Sequence, residues 1–249
     1  MVTLTLDGLS ASYGRRRILS EITTPPLEGG QVVAVLGPNA AGKSTLFRRI
    51  FGLVDGGGTV CLEGATSERP VAYMPQETGV NAVLTVYESV LLARMQGRRL
   101  NVKPEDLAEV DRALDELGIV ALGERDIGDL SGGQRQMVGA AQALVQNPEV
   151  LLLDEPTSAL DLHRQIQLLS ILRRLAKERG MLVIAALHDL GHALRFTDQA
   201  LVLQNGTLVN CGPTEEVVTP ELLYRVYHVT ARIERCSKGR PQLIVEEAV

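Results

Sequence analysis

One octapeptide constrains this chain more than any other feature: Gly37-Pro38-Asn39-Ala40-Ala41-Gly42-Lys43-Ser44. It follows Val32-Val33-Ala34-Val35-Leu36, a continuous apolar run that reads as a strand buried on both faces. It opens a helical stretch over 44–51 that Gly52 stops. A strand, a glycine-rich turn and a helix in that order curl successive backbone N–H groups inward and add the positive end of the helix dipole, a combination that binds phosphate. Lys43 would then reach the outer phosphates of a nucleotide, and the Ser44 hydroxyl would ligate Mg2+. The chain is expected to build an α/β fold around a parallel sheet and to bind a nucleotide.

Two further stretches carry chemistry. Val150-Leu151-Leu152-Leu153-Asp154-Glu155 puts two carboxylates at the end of a second apolar run. In an open parallel sheet that end faces the ligand crevice, which suits Asp154 to hold Mg2+, directly or through water, and Glu155 to polarise an attacking water. Leu130-Ser131-Gly132-Gly133-Gln134 stands before a helix with Met137, Val138, Ala141, Leu144 and Val145 on one face. Alone it reads as a capped turn or as a second anion site at a helix N-terminus. One nucleotide seldom needs two such sites from one chain, so the second would serve a nucleotide held by another subunit.

The rest of the pattern supplies the frame. Val2-Thr3-Leu4-Thr5-Leu6 alternates as a half-buried strand does, and further strands are expected at 59–62 and 71–74. After Gln76 the spacing becomes helical: Thr85 and Glu88 form a capping box ahead of Val86, Val90, Leu91 and Met95. Pro104 opens another helix, with Leu107, Val110, Leu114 and Leu117 on one face and Gly118 at its end. A strand at 150–153, a helix over 162–179 and a strand over 182–187 restore parallel-sheet alternation. Asn205-Gly206 predicts a hairpin, and a helix over 220–227 leads to two strands near 231–234 and 242–245. No repeat or long linker divides the 249 residues, so one domain is expected: a core of residues 1–76 and 135–249 with a helical subdomain at 77–134.

Composition removes other classes. A net charge of −5 argues against a nucleic-acid binder, and 3% aromatics with no Trp leave few stacking residues. Cys61, Cys211 and Cys236 lack the spacing of a disulfide framework or a zinc site, and His163, His192 and His228 have no catalytic placement. The longest apolar run, Met181 to Leu187, falls far short of the roughly 20 residues of a membrane span. With no basic-then-apolar leader, the chain is expected in the cytoplasm.

In this order the three elements resemble the ATP-binding cassette of ABC transporters, and the resemblance covers essentially the whole chain. It implies a P-loop NTPase cassette with a parallel core sheet, an N-terminal antiparallel β portion and an inserted helical subdomain. ATP and Mg2+ are the implied ligands. Gly37, Pro38, Asn39, Ala40, Ala41, Gly42, Lys43, Ser44 and Thr45 would hold phosphates, and Ser131, Gly132, Gly133 and Gln134 would form the signature facing a nucleotide on a partner chain. Ser158-Ala159-Leu160-Asp161 completes the set, with Asp161 near the nucleotide. The resemblance assigns Tyr13 to adenine stacking, Gln76 to sensing Mg2+ and the membrane partner, and His188 to the switch that contacts the terminal phosphate. Ser44, Gln76 and Asp154 are the implied metal residues, and Glu155, His188, Gln76 and Lys43 the catalytic ones. Read without the resemblance, Tyr13 beside Arg15-Arg16-Arg17 also fits a half-buried aromatic, Gln76 a strand-end residue and His188 a structural histidine.

Within the cassettes, the chain is similar to ATPase subunits of importers for iron-siderophores, haem and cobalamin. Gln134-Arg135-Gln136 leading into Ala141-Gln142-Ala143-Leu144, Thr157 to Leu162 with Gln165, and Thr219-Pro220-Glu221-Leu222-Leu223 with Val226-Tyr227 carry that likeness. It implies a homodimer on two transmembrane permease subunits at the cytoplasmic face of the inner membrane, fed by an extracytoplasmic substrate-binding protein. Leu187 stands before His188 where that group often has Thr, which leaves a molybdate-type importer open. A soluble cassette of DNA repair or translation would carry coiled-coil inserts or a tandem cassette. An inactive nucleotide-sensing scaffold would not need Lys43, Gln76, Glu155 and His188 together.

Overall fold

Alternation within single strands shows how the central sheet is buried. In the computed structural model, which describes residues 1–76, 83–96 and 101–249, β5 (Val32–Leu36) sends Val32, Ala34 and Leu36 into one core cluster and Val33 and Val35 into another. β8 (Val150–Leu153) and β9 (Leu182–Ala186) divide in the same way, so both sheet faces are dry. Each Leu, Val or Ile fully withdrawn from water there contributes about 1.5–3 kcal/mol. With β7 (Val71–Met74), β10 (Gln199–Gln204) and β11 (Thr207–Pro213) these strands form a six-stranded sheet in the order β11-β10-β5-β9-β8-β7. All neighbours are parallel except the β10–β11 hairpin. Its turn is Asn205-Gly206, both at positive φ, as a two-residue hairpin of this twist requires.

One face is covered by α1 (Lys43–Phe51), through Leu46, Phe47 and Ile50, and by antiparallel β structure. β1 (Thr3–Asp7) lies between β4 (Leu27–Glu28) and β6 (Thr59–Glu63), while β2 (Leu9–Tyr13) pairs with β3 (Arg16–Ile22). The opposite face takes the remaining helices. α5 (Leu162–Arg179), capped by Asp161 and closed by Gly180, buries Leu168, Leu169, Leu172 and Leu175. α6 (Leu190–Phe196), α7 (Thr214–Val217) and α8 (Pro220–Tyr227) follow, and β12 (Val229–Arg235) pairs with β13 (Pro241–Ala248).

In the helical region α2 (Val86–Met95) has the expected capping box, with Thr85 Oγ1 accepting from Glu88 N and Glu88 Oε2 accepting from Thr85 N. α3 (Pro104–Glu116) buries Val110, Ala113 and Leu114 but leaves Leu107 exposed, contrary to the periodicity. The inner side of its first turn carries Asp106 instead, buried against Arg94 at 3.2 Å and accepting from Lys103 N. α4 (Gly132–Leu144) is also more buried than a one-faced helix: Gln136, Gly139, Ala140 and Ala143 are enclosed as well. It is packed against α2 and α3 on one side and β7 and β8 on the other, and it runs unbroken through the expected boundary at 134. Residues 77–82 and 97–100 of the expected subdomain lie outside the described residues. Among the described residues, no helix is long and apolar enough to cross a membrane.

Candidate functional site

The glycines of the loop after β5 are demanded by backbone shape. Gly37 has φ 144°, and a Cβ there would lie 2.2 Å from the Leu203 carbonyl oxygen. Gly42, the residue before α1, has φ 106° and would press a Cβ against Leu19 at 2.8 Å. Lys43 is 5% exposed, and its ammonium donates to the carbonyls of Gly37 at 2.8 Å and Pro38 at 3.1 Å. Burial pulls its pKa below the ordinary lysine value, against the opposing attraction of Glu155 and Asp154. A buried cation in a glycine turn that opens a helix suits an anion.

Topology delivers the remaining groups. β7, β8 and β9 are adjacent and parallel, so the residues just beyond their C-terminal ends come side by side: Gln76, Asp154-Glu155 and His188. The Glu155 carboxylate accepts from Gln76 Nε2 at 2.7 Å, and its other oxygen is 2.6 Å from His188 Nε2. Asp154 is 1% exposed and accepts from the Tyr73 hydroxyl at 3.3 Å, with the Ser44 side chain beside it. Burial pushes its carboxyl up, and the Ser44 and Tyr73 side chains oppose the shift. Its Oδ1 is buried and has no hydrogen-bond partner among the described residues. An orphaned carboxylate oxygen beside a hydroxyl suits a hard divalent cation such as Mg2+.

A cavity of about 590 Å³ is walled by residues 39–45 of the loop together with Gln76, Glu155 and His188, while Gly37, Pro38 and the buried Asp154 lie behind that wall. Arg16 and Ile18 complete the wall, although the sequence pattern shows only a solvated charge run there. Tyr13 does not line it. That residue pairs with Arg16 across the β2–β3 hairpin, is 46% exposed and lies near the Arg48 guanidinium, whose pKa it and Tyr73 raise. A larger cleft of about 950 Å³, between α5, α6 and the start of β13, contains none of the residues singled out above.

The signature residues lie elsewhere in the chain. Ser131 caps α4 reciprocally with Gln134, the hydroxyl accepting from Gln134 N and Gln134 Oε1 accepting from Ser131 N. Ser131 and Gly132 are exposed and absent from the cavity wall. Asp161, also exposed, accepts from Arg164 N at 2.8 Å as the cap of α5. Gln136, which the sequence offers only as part of the likeness to importer subunits and with no role at the site, donates to the Glu155 carbonyl at 2.6 Å from inside α4. Only the carboxamide's position after Ser131 on a helix signalled it, and spacing alone does not reveal such a contact.

Comparison with known proteins agrees with this geometry. The model of the ABC transporter family matches residues 24–158. The iron(3+)-hydroxamate import ATP-binding protein FhuC of Bacillus subtilis (strain 168) is 37% identical, over 94% of this chain and 90% of its own length. The hemin import ATP-binding protein HmuV of Bradyrhizobium diazoefficiens is 39% identical, over 95% of this chain and 92% of its own. A solved ABC transporter of metal-chelate type in an inward-facing conformation superposes with a TM-score of 0.86 at 27% identity, covering 99% of this chain and 98% of that one.

Proposed function

We propose, from the premise that this chain belongs to the ABC transporter family as an ATP-hydrolysing subunit, that it powers uptake of a metal chelate such as an iron-siderophore, haem or cobalamin. The observation that carries the reading is the Glu155 carboxylate, held between Gln76 and His188 at the mouth of the phosphate loop. The likeness to hydroxamate and hemin import proteins supports the class of cargo.

In this reading the loop N–H groups and Lys43 grip the outer phosphates of ATP, and Lys43 offsets charge that grows in the transition state. Mg2+, held by Ser44 and Asp154 with Gln76 nearby, would neutralise phosphate charge. Glu155 orients the attacking water and accepts its proton; each carboxylate oxygen keeps lone pairs beyond those given to Gln76 and His188. His188 exchanges its bond to Glu155 for the terminal phosphate. Tyr13, outside the cavity wall but paired with Arg16 of that wall across the β2–β3 hairpin, would have to turn toward the nucleotide to stack on the base.

One chain leaves the far side of the phosphates uncovered, and the exposed Ser131-Gly132-Gly133 N-terminus of α4 is left without a task inside its own chain. Two copies, each offering that N-terminus to the other's loop, answer both. The membrane subunits would seat in a groove of about 670 Å³ between α1, α2 and α4, where Phe51, Leu53 and Leu92 expose apolar side chains beside Pro75. The chain then sits on the inner face of the membrane without entering it.

Glu155→Gln should retain ATP binding and lose turnover by about 10²–10⁴-fold. With Mg-ATP it should become a dimer by light scattering, and adding Ser131→Arg should return it to monomer. An ATP-binding Glu155→Gln protein whose oligomeric state ignores both ATP and Ser131→Arg would overturn the shared site. Purifying the chain with its native membrane subunits, and assaying which chelate they bind, decides the cargo.

A further inference from the structure

Residue 155 is held in a backbone conformation it would not choose alone. Its φ of 53° is left-handed, unfavourable for a side chain with a Cβ, and Pro156 disfavours the right-handed helical alternative. Extended backbone is the relaxed state for such a residue, and in it the carboxylate would leave its place between Gln76 and His188. Strain of this kind persists only where the surroundings over-determine it.

Within the turn, Ser158 donates to the Glu155 carbonyl from N at 3.3 Å and from Oγ at 3.2 Å, and a further restraint comes from another segment. Gln136, one turn into α4 and 5% exposed, uses its whole carboxamide on the loop after β8. Nε2 donates to the Glu155 carbonyl at 2.6 Å and to Ser158 Oγ at 3.1 Å, while Oε1 accepts from Ala159 N at 2.8 Å. From the opposite side Gln165 donates to the carbonyls of Thr157 and Leu160. The loop also lies hard against the start of α4: a Cβ on Gly133 would come within 2.9 Å of the Ala159 carbonyl oxygen. The helix that presents Ser131-Gly132-Gly133 and the loop that carries Glu155 therefore move as one body. Only a group with two donors and an acceptor in one plane satisfies all three bonds.

We propose that Gln136 is a positioning residue: it fixes the backbone of Glu155 and so ties the placement of the hydrolytic carboxylate to the seating of the signature helix. The inference rests on the shared-site reading above. A nucleotide gripped by Ser131-Gly132-Gly133 on one side of α4 thereby sets the geometry for hydrolysis of the nucleotide in the chain's own loop.

Two variants of the full chain test it by steady-state ATPase. Gln136→Met keeps length and apolar volume but loses all three bonds; kcat should fall about 10²-fold, with KM for ATP moving less than about twofold. Gln136→Glu is the discriminating variant. Protonated, its carboxyl donates to the Glu155 carbonyl and accepts from Ala159 N as the amide does; ionised, it sets a negative oxygen against that carbonyl. Its kcat relative to the parent protein should rise as pH is lowered from about 8.5 to about 6, while the Gln136→Met ratio stays flat. A parental kcat in folded Gln136→Met overturns the proposal. So does a pH-independent ratio for Gln136→Glu, which decides the matter if Gln136→Met does not fold. Adding Gln136→Met to Glu155→Gln should preserve the Mg-ATP dimer; loss of the dimer would make Gln136 a mere support of the signature and overturn the positioning role. Failure of Glu155→Gln alone to dimerise would instead refute the shared site.

Discussion

Ala40 has φ 60° in the middle of the phosphate loop, so its methyl group sits on left-handed backbone. That conformation costs an L residue about 1–2 kcal/mol relative to glycine. The side chain is exposed, so replacing it gives up little buried area. Against the relief stands the larger entropy of glycine in the unfolded chain, about 0.4–1 kcal/mol. Ala40→Gly should therefore stabilise the protein by about 0.5–1 kcal/mol. For a chain of this size each kcal/mol moves Tm by about 2–4 °C, which sets the expected rise at about 1–4 °C. Because the loop needs the same backbone with or without phosphate, KM for ATP should change less than about twofold. Differential scanning calorimetry of both proteins, with and without Mg-ATP, measures the first quantity, and steady-state ATPase assays measure the second. A Tm that falls on substitution would refute the strain argument. A Tm gain seen only with Mg-ATP would show that the left-handed backbone arises on binding and is not built into the fold.

Lys43→Ala removes the cation that the loop holds in its own carbonyls, and ATP hydrolysis should be abolished in a protein that still folds; near-parental hydrolysis would remove this loop from the reaction. Tyr13→Ala should weaken ATP binding by roughly 1–3 kcal/mol if the ring stacks on the base, and Tyr13→Phe should recover that loss despite giving up the hydroxyl near Arg48. Should Phe behave like Ala in equilibrium titrations, the hydroxyl and not the ring face is what matters. Leu53→Ser, 61% exposed before substitution, should leave the ATPase activity and Tm of the isolated chain within experimental scatter while reducing its recovery with the membrane subunits from detergent extracts. Unchanged recovery would place the docking face elsewhere.

Much of this arrangement is legible in the residues because local rules and burial agree there. Val32 to Leu36 is apolar without a break since both faces of β5 are covered, and α5 spans the expected 162–179 because Asp161 caps it and Gly180 closes it. Asn205-Gly206 can only turn in one way between two apolar runs. The misses share a cause: each depends on what a distant segment brings. Leu107 reads as core until Arg94 arrives to pair with Asp106 on the inner side of its turn. Arg16 and Ile18 read as part of a charged hairpin, and only the return of β3 past the phosphate loop makes them cavity walls. α4 reads as one-faced because a sequence shows the sheet side of a helix and not that a second layer covers the other. Gln136 reads as a polar position within that helix, and its three partners are about twenty residues away along the chain.

The order of strands explains why Glu155, and not a neighbour, occupies the centre of the cluster. Adjacent strands lie about 4.8 Å apart, so side chains leaving the ends of three consecutive parallel strands can meet only around the middle one. β8 is that strand, with β9 on one side supplying His188 and β7 on the other supplying Gln76. An acid on β7 or β9 would reach one of these partners and miss the other. The same central placement sets Glu155 beneath α4, which is packed on both β7 and β8, and within reach of Gln136. Its carboxylate is thereby held from the chain leading into the helical region, from the chain leading into α6, and through its backbone from the signature helix. A displacement of any one of these segments changes the position of the oxygen proposed to face the attacking water. Misplacement by about 1 Å at such a group is worth about 10²-fold in rate, so motions far smaller than a domain rotation suffice to separate an idle arrangement from a hydrolytic one.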